Sequence, residues 1–437
     1  MIDRISKVPF NYRWVILGVS FIILGLTSTI FQSFSIFFVA LLREFRWSRS
    51  TTAGAFSLLF ILIGAMGPFA GSAIVRMGQR RVFVLGSLLL GLGLGLCSLI
   101  HSWWQFYIFY GVITAIGMGS TAWVTNATVI QSWFKEKRGL AMGILSSGVG
   151  VGIFVYIPAI QYLINRIGWR MAYRVMAFLI PSVVIILTVM FMKKPSRMTS
   201  SAPKEQETRH TMMRDPSIVD LKWTSRSWTL RQAMLTKQFW SLGICFFFGS
   251  LLGNSVLTHH VAFFVDKGLE SLFVSYIVGM IGIVSIGGRI LWGILSDRIG
   301  REVTYTLAMV CCICGIVLLI TFPVLSSTYD PYFYAIVFGM GYSGVVVLPS
   351  LITADFFEGR AYGSIFGTIF LLYSVGGAFG TWFCGFLYDR MGSYTPFFII
   401  AIACALFACF NIWIAAPRKI RMVPGKKALR FNRNSTS

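Results

Sequence analysis

Long apolar runs alternate with short polar stretches along nearly the whole chain. A helix needs about 20 apolar residues to cross the ~30 Å hydrocarbon core of a bilayer. Dividing the chain where charges, Gly/Pro clusters or turn residues interrupt these runs predicts twelve membrane spans. They cover residues 14–42, 52–75, 82–100, 105–134, 139–164, 173–192, 239–265, 272–295, 304–325, 332–357, 362–387 and 395–416.

A polar segment separates the sixth span from the seventh. Residues 193–238 hold Ser, Thr, Pro and ten Lys or Arg residues, and they are too polar to span a membrane and too poor in apolar residues to build a core. The pattern therefore predicts an all-α membrane protein with two pseudo-symmetric six-helix bundles, at 14–192 and 239–416, joined by this basic linker. Residues 1–13 and 417–437 form the two termini.

Composition supports the membrane assignment. Of the 437 residues, 56% are hydrophobic and only 12% are charged, a mixture that a soluble protein could not keep in water. The net charge of +23 reflects topology, because 29 of the 38 basic residues lie on the side of the termini and eight lie on the opposite side. The positive-inside rule then places both termini and the linker in the cytoplasm of a multi-pass cell-membrane protein.

The same distribution argues against several other classes of function. The basic linker and tail flank membrane spans, which suits anionic lipid of the bilayer better than nucleic acid. All eight cysteines lie inside apolar runs, with neither a disulfide framework nor a metal-ligand spacing. The chain shows no nucleophile–base pair and no phosphate loop, so we predict no enzyme activity, no metal and no cofactor.

The two halves of the chain contain matching motifs. Gly71, Arg76 and Gly78 follow the second span, and the same residue types recur 222 positions later after the eighth span. Parallel repeats of six spans are typical of carriers whose two bundles rock around a site at the bilayer midplane.

The second copy of this motif, GILSDRIGR at 293–301, resembles the G-x-L-x-D-R-x-G-R loop of the major facilitator superfamily. The resemblance implies a conformational gate on the cytoplasmic side, where glycines allow close packing and a tight turn while Asp and Arg form charge contacts. The first copy departs from the family pattern, because Val75 stands at the Asp position. The predicted gate residues are Gly293, Asp297, Arg298, Gly300, Arg301, Gly71, Arg76 and Gly78.

Three further strings resemble the branch of monocarboxylate transporters and oxalate/formate exchangers, especially its bacterial members. They are FFVALLREFRWSR at 37–49, WFKEKRGLAMG at 133–143 and HHVAFFVDKG at 259–268. The resemblance implies transport of a small organic anion.

Arg289 is the basic residue that falls inside a span, about 12 Å from the cytoplasmic end of span eight. A permanent guanidinium at this depth is costly and is functional by default. We interpret it as the group that binds a substrate carboxylate through its two-pronged donor fork; the alternative is a structural Arg satisfied by carbonyls and water. The resemblance agrees, since monocarboxylate carriers place their substrate Arg in this helix.

The residues give less indication of how protons are coupled to transport than of where the carboxylate binds. The symporters that the chain resembles carry an Asp one turn before that Arg, where this chain has Ser285. The remaining candidates for proton coupling are His259 and His260 in span seven, with Asn254 near them, and family position favours His260. A neutral, hydrogen-bonding role for each His stays open.

Other candidates to line the substrate site are Trp123, Tyr342 and Tyr373, with Gln32 on a polar face of span one. For each aromatic residue, simple packing between helices is the alternative. The exchanger branch adds a Lys after a Tyr-Ser pair in span eleven, whereas this chain reads Tyr373-Ser374-Val375. One buried cation favours a substrate with one carboxylate.

The function predicted from the sequence is alternating-access transport of a monocarboxylate such as lactate or pyruvate, by proton symport or anion exchange, in a protein that acts as a monomer. Three alternatives remain. They are an oxalate/formate-type exchanger, a drug or metabolite proton antiporter and a membrane sensor that does not transport. The antiporter is less favoured, because such a protein should show a buried acid and a Gly-Pro pair in span five, where this chain reads GVGVG at 148–152.

Overall fold

The computed structural model describes residues 12–121, 123–134, 138–192, 218–325, 329–359 and 361–421. Most of the predicted N-terminus, residues 193–217 of the linker and residues 422–437 of the tail lie outside the described part. Within it, eleven helices are long and apolar enough to cross a membrane. The prediction of an all-helical membrane protein is confirmed.

The helices follow the predicted spans closely. Where the end of a predicted span corresponds to the end of a helix, the two differ by at most four residues. In chain order they are Tyr12–Phe45 (α1), Arg49–Met77 (α2), Gln79–Cys97 (α3), Trp103–Phe106 (α4), Ala115–Thr121 (α5), Trp123–Trp133 (α6), Arg138–Phe191 (α7), Leu221–Thr224 (α8), Leu230–Met234 (α9), Lys237–Asp266 (α10), Ser271–Ile299 (α11), Arg301–Leu325 (α12), Asp330–Phe356 (α13), Tyr362–Met391 (α14) and Thr395–Ala415 (α15).

One of these helices accounts for two spans. Helix α7 has 54 residues and contains Gly168 at φ 81° and ψ 160°, a backbone conformation outside the helical region. A continuous helix of that length would measure about 80 Å, more than twice the thickness of the hydrocarbon core. Gly168 tolerates the positive φ because it has no Cβ atom. The break lies between predicted spans five and six, so the described helices provide twelve crossings.

The fourth span contains a wide turn that the apolar pattern does not predict. Residues Tyr107–Thr114 form a π-helix between α4 and α5. The Thr114 hydroxyl donates to the Phe109 carbonyl at 2.9 Å, five residues earlier. A side-chain hydroxyl thus supplies a hydrogen bond where the widened backbone needs one.

The helices divide into two compact units. The first comprises Met1–Met198, Asn254–Ile286 and Thr381–Tyr394, and the second comprises Thr199–Gly253, Gly287–Gly380 and Thr395–Ser437. The first unit therefore holds the first six spans together with one end of α10, the first half of α11 and one end of α14. The division of the chain into bundles at 14–192 and 239–416 stays a prediction drawn from the sequence repeat.

In the first unit α1 runs along α7 with little space between the backbones. A Cβ atom at Gly25 of α1 would lie 2.8 Å from the Gly148 carbonyl oxygen of α7. In the second unit α12 packs against α13 in the same way. There a Cβ atom at Gly341 would lie 2.6 Å from the Cys312 amide nitrogen. Only glycine permits such contacts, because a real Cβ atom needs more room.

The described end of the predicted linker is folded. The two short helices α8 and α9 are capped by the side chains of Asp220 and Thr229. Trp223 donates its indole hydrogen to the Phe356 carbonyl oxygen at the end of α13, at 2.8 Å. Val219 also pairs with Ile420 of the tail through an amide hydrogen bond of 2.9 Å. This part of the linker is thus attached to the second unit.

We predict that Gly341→Ala destabilises the protein by about 1–3 kcal/mol, since the added methyl overpacks the contact between α12 and α13. Gly287→Ala is the matched control, because a Cβ atom at that helical position would meet nothing within 4 Å. Alanine is the better helix former, so the control should be neutral or slightly stabilising. Thermal unfolding in detergent, followed by tryptophan fluorescence, compares the two. Equal melting temperatures would contradict the packing argument.

Candidate functional site

Arg289 lies on α11 with its side chain buried, at 8% exposure. Tyr342 on α13 and Tyr373 on α14 lie close enough for their hydroxyl groups to interact electrostatically with its guanidinium. Both tyrosines are buried as well. The structure therefore brings together, within the second unit, three residues from three helices that the sequence predicts to line the site.

The backbone around Arg289 is fixed against α13. A Cβ atom at Gly288 would lie 3.0 Å from the Ser343 Cβ atom and 3.1 Å from the Met340 sulfur, so the two helices approach closely at this point. One turn later, the indole nitrogen of Trp292 donates to the Met340 carbonyl oxygen at 2.7 Å. These contacts hold the segment that carries Arg289 against α13.

The two tyrosine rings are held by their neighbours. Gly253 of α10 leaves room for the Tyr342 ring, because a Cβ atom there would lie 3.1 Å from it. Phe338 stacks on Tyr342 with the ring centroids 6.4 Å apart. Phe370 stacks on Tyr373 with the centroids 5.5 Å apart. Each of the two tyrosine rings near the guanidinium is thus packed against a phenylalanine of its own helix.

This combination suits a small anion. A guanidinium offers five donors in a fixed fork that matches the two oxygens of a carboxylate, and tyrosine hydroxyls can add further hydrogen bonds. Aromatic faces accommodate a short apolar body. One turn before Arg289, the Ser285 hydroxyl donates to the Gly282 carbonyl oxygen of its own helix at 2.8 Å. A serine at this position cannot exchange a proton as the expected Asp would.

The remaining predicted lining residues lie in the first unit. Gln32 of α1 and Asn254 of α10 line one crevice that is too narrow for a water molecule. The buried His260 places its Nδ1 atom 3.0 Å from the Val256 carbonyl oxygen of its own helix. Trp123 lies half-buried on α6. The other residues of the crevice are Phe31, Ser35, Phe56, Leu257 and Thr258.

A group of charged and aromatic residues lies in the first unit at the helix ends opposite the N-terminus, a side that we call distal. Arg49 donates to an Asp266 carboxylate oxygen at 2.7 Å and to the Tyr394 hydroxyl. Its guanidinium carbon lies 3.7 Å from the centroid of the Tyr388 ring. Asp389 accepts the Arg49 amide hydrogen at 2.8 Å and so caps the start of α2. We call these five residues the Arg49 cluster.

His259 joins the Arg49 cluster. Its Nδ1 atom lies 3.2 Å from the Tyr394 hydroxyl, and its Nε2 atom lies 2.9 Å from the Thr381 carbonyl oxygen. Burial raises the pKa of the Tyr394 hydroxyl well above its usual range, so the phenol stays neutral. The sequence singled out His259 but missed its partners. Arg49 and Asp266 do lie in the strings that resemble the transporter branch, but nothing in the sequence pairs them.

The predicted gate motif of the second half forms ion pairs. Arg301, the first residue of α12, donates to the carboxylates of Asp297 and Asp355, each at 2.8 Å. Gly300 has a φ of 109° and makes the turn that precedes it. Arg298 is exposed. Asp355 is the participant that sequence reasoning missed, because it lies at the end of another helix.

One expectation about the gate motifs is wrong in this conformation. A Cβ atom at Gly293 would meet no atom within 4 Å, so this glycine does not serve close helix packing. In the first copy, Gly78 makes a turn at φ 82° between α2 and α3, and Arg76 is exposed. Gly71 lies inside α2. It is Arg80 that ties this end of the first unit together, by donating to the Met192 carbonyl oxygen.

We predict that Asp355→Asn destabilises the protein by about 1–3 kcal/mol, more than Asp297→Asn does. The side chain of Asp355 is 17% exposed in its pair with Arg301, whereas that of Asp297 is 55% exposed and is compensated by water. We expect Asp297→Asn to cost less than about 1 kcal/mol. A double-mutant cycle with Arg301→Gln, measured by thermal unfolding, tests the difference. A coupling energy with Arg301 that is equal for the two aspartates would contradict it.

Comparison with known proteins places this geometry in a family. The model of the Major Facilitator Superfamily matches residues 18–381, and the chain belongs to that superfamily. It is 24% identical to monocarboxylate transporter 12 of Mus musculus over 91% of this chain and 84% of the relative. It is also 24% identical to monocarboxylate transporter 13 of Rattus norvegicus, over 96% of this chain and 95% of the relative.

A solved structure shows the same fold. A bacterial homologue of the human lysosomal transporter Spinster superposes with a TM-score of 0.71 at 16% identity, over 95% of this chain and 100% of that one. The predicted fold class and the likeness to monocarboxylate transporters are confirmed. The protein is a multi-pass membrane transporter of a family whose members are not enzymes.

Proposed function

We propose that the protein transports a small monocarboxylate, such as lactate or pyruvate, by alternating access, with Arg289 binding the carboxylate. The observation that carries this proposal is the buried guanidinium of Arg289 beside the hydroxyl groups of Tyr342 and Tyr373. These groups lie on three helices of the second unit. Together they offer a charge and several hydrogen-bond donors to one small ligand.

Electrostatics favours an anion at this position. Two opposite charges 4 Å apart attract each other by about 4 kcal/mol at an effective dielectric constant of about 20, compared with about 1 kcal/mol in water. A carboxylate matches the guanidinium with two parallel hydrogen bonds. The same low dielectric penalises a second negative charge that finds no cation beside it. A single carboxylate therefore fits Arg289 better than a dicarboxylate does.

The aromatic residues near Arg289 favour a substrate with a short apolar body. Phe338 and Phe370 stack on the two tyrosine rings, so aromatic surface lies near the guanidinium. A methyl or hydroxymethyl group packs well against such a surface. The names of two relatives, monocarboxylate transporters 12 and 13, agree with this class of substrate.

The remaining parts of the proposal concern orientation and coupling. The excess of Lys and Arg on the side of the termini supports cytoplasmic termini in a cell membrane. Transport is by proton symport or anion exchange, and the protein works as a monomer. His260, Asn254, Gln32 and Trp123 are proposed as further substrate-binding residues.

We expect Arg289→Ala to abolish saturable uptake, with affinity reduced at least about thirtyfold, because a lost charge-assisted contact costs about 2–5 kcal/mol. Arg289→Lys keeps the charge but lacks the fork, so KM should rise at least about tenfold. Uptake of labelled lactate, pyruvate, formate and oxalate into proteoliposomes, with and without a pH gradient, measures both effects.

Arg166→Ala is the matched control, since Arg166 is exposed at the distal side and belongs to none of the sites described. Its uptake should equal that of the unchanged protein. Full uptake by Arg289→Ala would overturn the assignment of Arg289. Saturable binding of the acids without flux would instead indicate a sensor, and uptake of oxalate alone would indicate an exchanger for doubly charged anions.

A further inference from the structure

The hydrogen bonds around His259 form a chain in which every donor points in the same direction. A carbonyl oxygen only accepts, so the 2.9 Å contact with Thr381 requires the hydrogen of the neutral imidazole to be on Nε2. Nδ1 then carries a lone pair and accepts the hydrogen of the Tyr394 hydroxyl at 3.2 Å. The same hydroxyl oxygen accepts a hydrogen bond from Arg49. The chain of hydrogen bonds therefore passes from Arg49 through Tyr394 and His259 to the Thr381 carbonyl.

This chain is complete only when His259 is neutral. A proton on Nδ1 would turn that atom into a donor facing the hydroxyl group that now donates to it. Tyr394 would have to turn its own hydrogen elsewhere, while its oxygen already receives a hydrogen from Arg49. Keeping the contact would give the Tyr394 oxygen a second donor beside Arg49 and displace its hydroxyl hydrogen inside a buried group, since the exposures of His259 and Tyr394 are 0% and 3%. Leaving such groups without good partners costs about 1–3 kcal/mol or more.

The charges around His259 also disfavour its protonation. Arg49 on α2 is bonded to the same Tyr394 hydroxyl as His259, and its charge disfavours a second positive charge there. The neighbouring His260 is bonded to the Val256 carbonyl oxygen of its own helix and brings no negative charge. The carboxylates of Asp266 and Asp389 are already engaged by Arg49, one by its side chain and one by its backbone. An imidazolium would therefore have to share these carboxylates with Arg49.

On the face of His259 that is turned to α1, the neighbour is apolar. The Phe38 ring meets the imidazole at 83° with the centroids 5.0 Å apart, and it brings no acceptor. Tyr388 stacks near Tyr394 and offers its ring face to Arg49. A proton on Nδ1 therefore requires the Tyr394 hydroxyl to reverse the direction of its hydrogen bond with His259.

The Arg49 cluster also has the position of a gate. It joins the start of α2, in the first half of the chain, to the ends of α10 and α14, in the second half. In a carrier that opens alternately to two sides, contacts between the two halves at the distal ends must break when that side opens. His259, seven residues before Asp266 in α10, is bonded to this closure through Tyr394.

We infer that His259 is a proton-binding residue whose protonation opens a distal gate formed by the Arg49 cluster. Opening then takes up a proton and closing releases it, since the two events are thermodynamically linked. The inference rests on the proposed alternating-access transport. It gives the chain a route to proton sensitivity without an acidic residue at Ser285, because the titrating group lies in the gate rather than beside Arg289.

The test measures the distance between the distal ends of two helices without substrate. Nitroxide labels are placed at His101→Cys and Met391→Cys, two exposed distal positions of the first unit, in a background whose eight native cysteines are replaced. Double electron–electron resonance in lipid nanodiscs then gives the closed and open populations at pH 8 and pH 5. A histidine exposed by opening has a pKa near 6.5, so the closed-to-open ratio should fall about thirtyfold between these values.

His259→Gln is the decisive variant. Glutamine stays neutral at both pH values, and its amide can donate to the Thr381 carbonyl and accept from Tyr394. Its populations should not respond to pH, whereas Arg166→Gln, at an exposed distal position outside the sites described, should respond as the unchanged protein does. Should His259→Gln fail to fold as a monodisperse protein, Tyr394→Phe decides, because loss of the hydroxyl should open the gate at pH 8 and weaken the response at least about threefold.

Equal populations at pH 8 and pH 5 in the unchanged protein would overturn the inference, as would an unaltered response in His259→Gln or Tyr394→Phe. Because no substrate is present, the result is independent of which acid is carried. Carboxylate uptake with a gate that ignores pH would refute this inference alone, and a responsive gate without carboxylate uptake would refute only the proposed substrate.

Discussion

The bilayer interior provides no water to bond a polar group, and the architecture of this protein follows from that constraint. Each crossing segment is helical, because a helix satisfies its own backbone. Where the helix deviates, a local feature compensates. Gly168 allows the chain to turn back between two crossings, and the Thr114 hydroxyl bonds to a carbonyl inside the widened turn of the fourth span.

The same constraint assigns different tasks to the arginines. Arg49 and Arg301 lie at helix ends and are bonded to aspartates. Water can replace such partners when the ends move apart, so ion pairs at this level can form and separate at moderate cost. Arg289 lies in mid-span beside two tyrosines. There a charge interacts strongly with whatever anion approaches, which suits the binding of substrate rather than the closing of a gate.

The proposed role of His259 connects the gate at the helix ends with the interior of the spans. The residue is bonded to Tyr394 of the Arg49 cluster, and its hydrogen bonds are satisfied by a neutral ring. Transport driven by protons requires that proton binding and conformation be linked, but it does not require that the titrating group touch the substrate. A gate that closes only around a neutral imidazole meets this requirement at a distance from the carboxylate.

Much of the fold could be read from the chain, and parts of the site could be as well. The length of each apolar run set the helix ends within four residues, and one misplaced charge pointed to Arg289. Tyr342 and Tyr373 were named from the sequence because they combine an aromatic ring with a hydroxyl donor, and their role in binding stays a prediction. Asp355 and Arg80 were missed, since their partners are Arg301 and a backbone carbonyl that no local pattern indicates.

The sequence by itself determined that the chain crosses the membrane, where each crossing begins and ends, and which single basic residue lies in mid-span. Those features depend on local chain properties, namely apolar length, turn residues and the cost of a charge in lipid. Only the tertiary structure decided that Arg49 meets Asp266 and Asp389, which are 217 and 340 residues away. Pairings at that separation depend on how the helices pack, which is set by many close backbone contacts acting together.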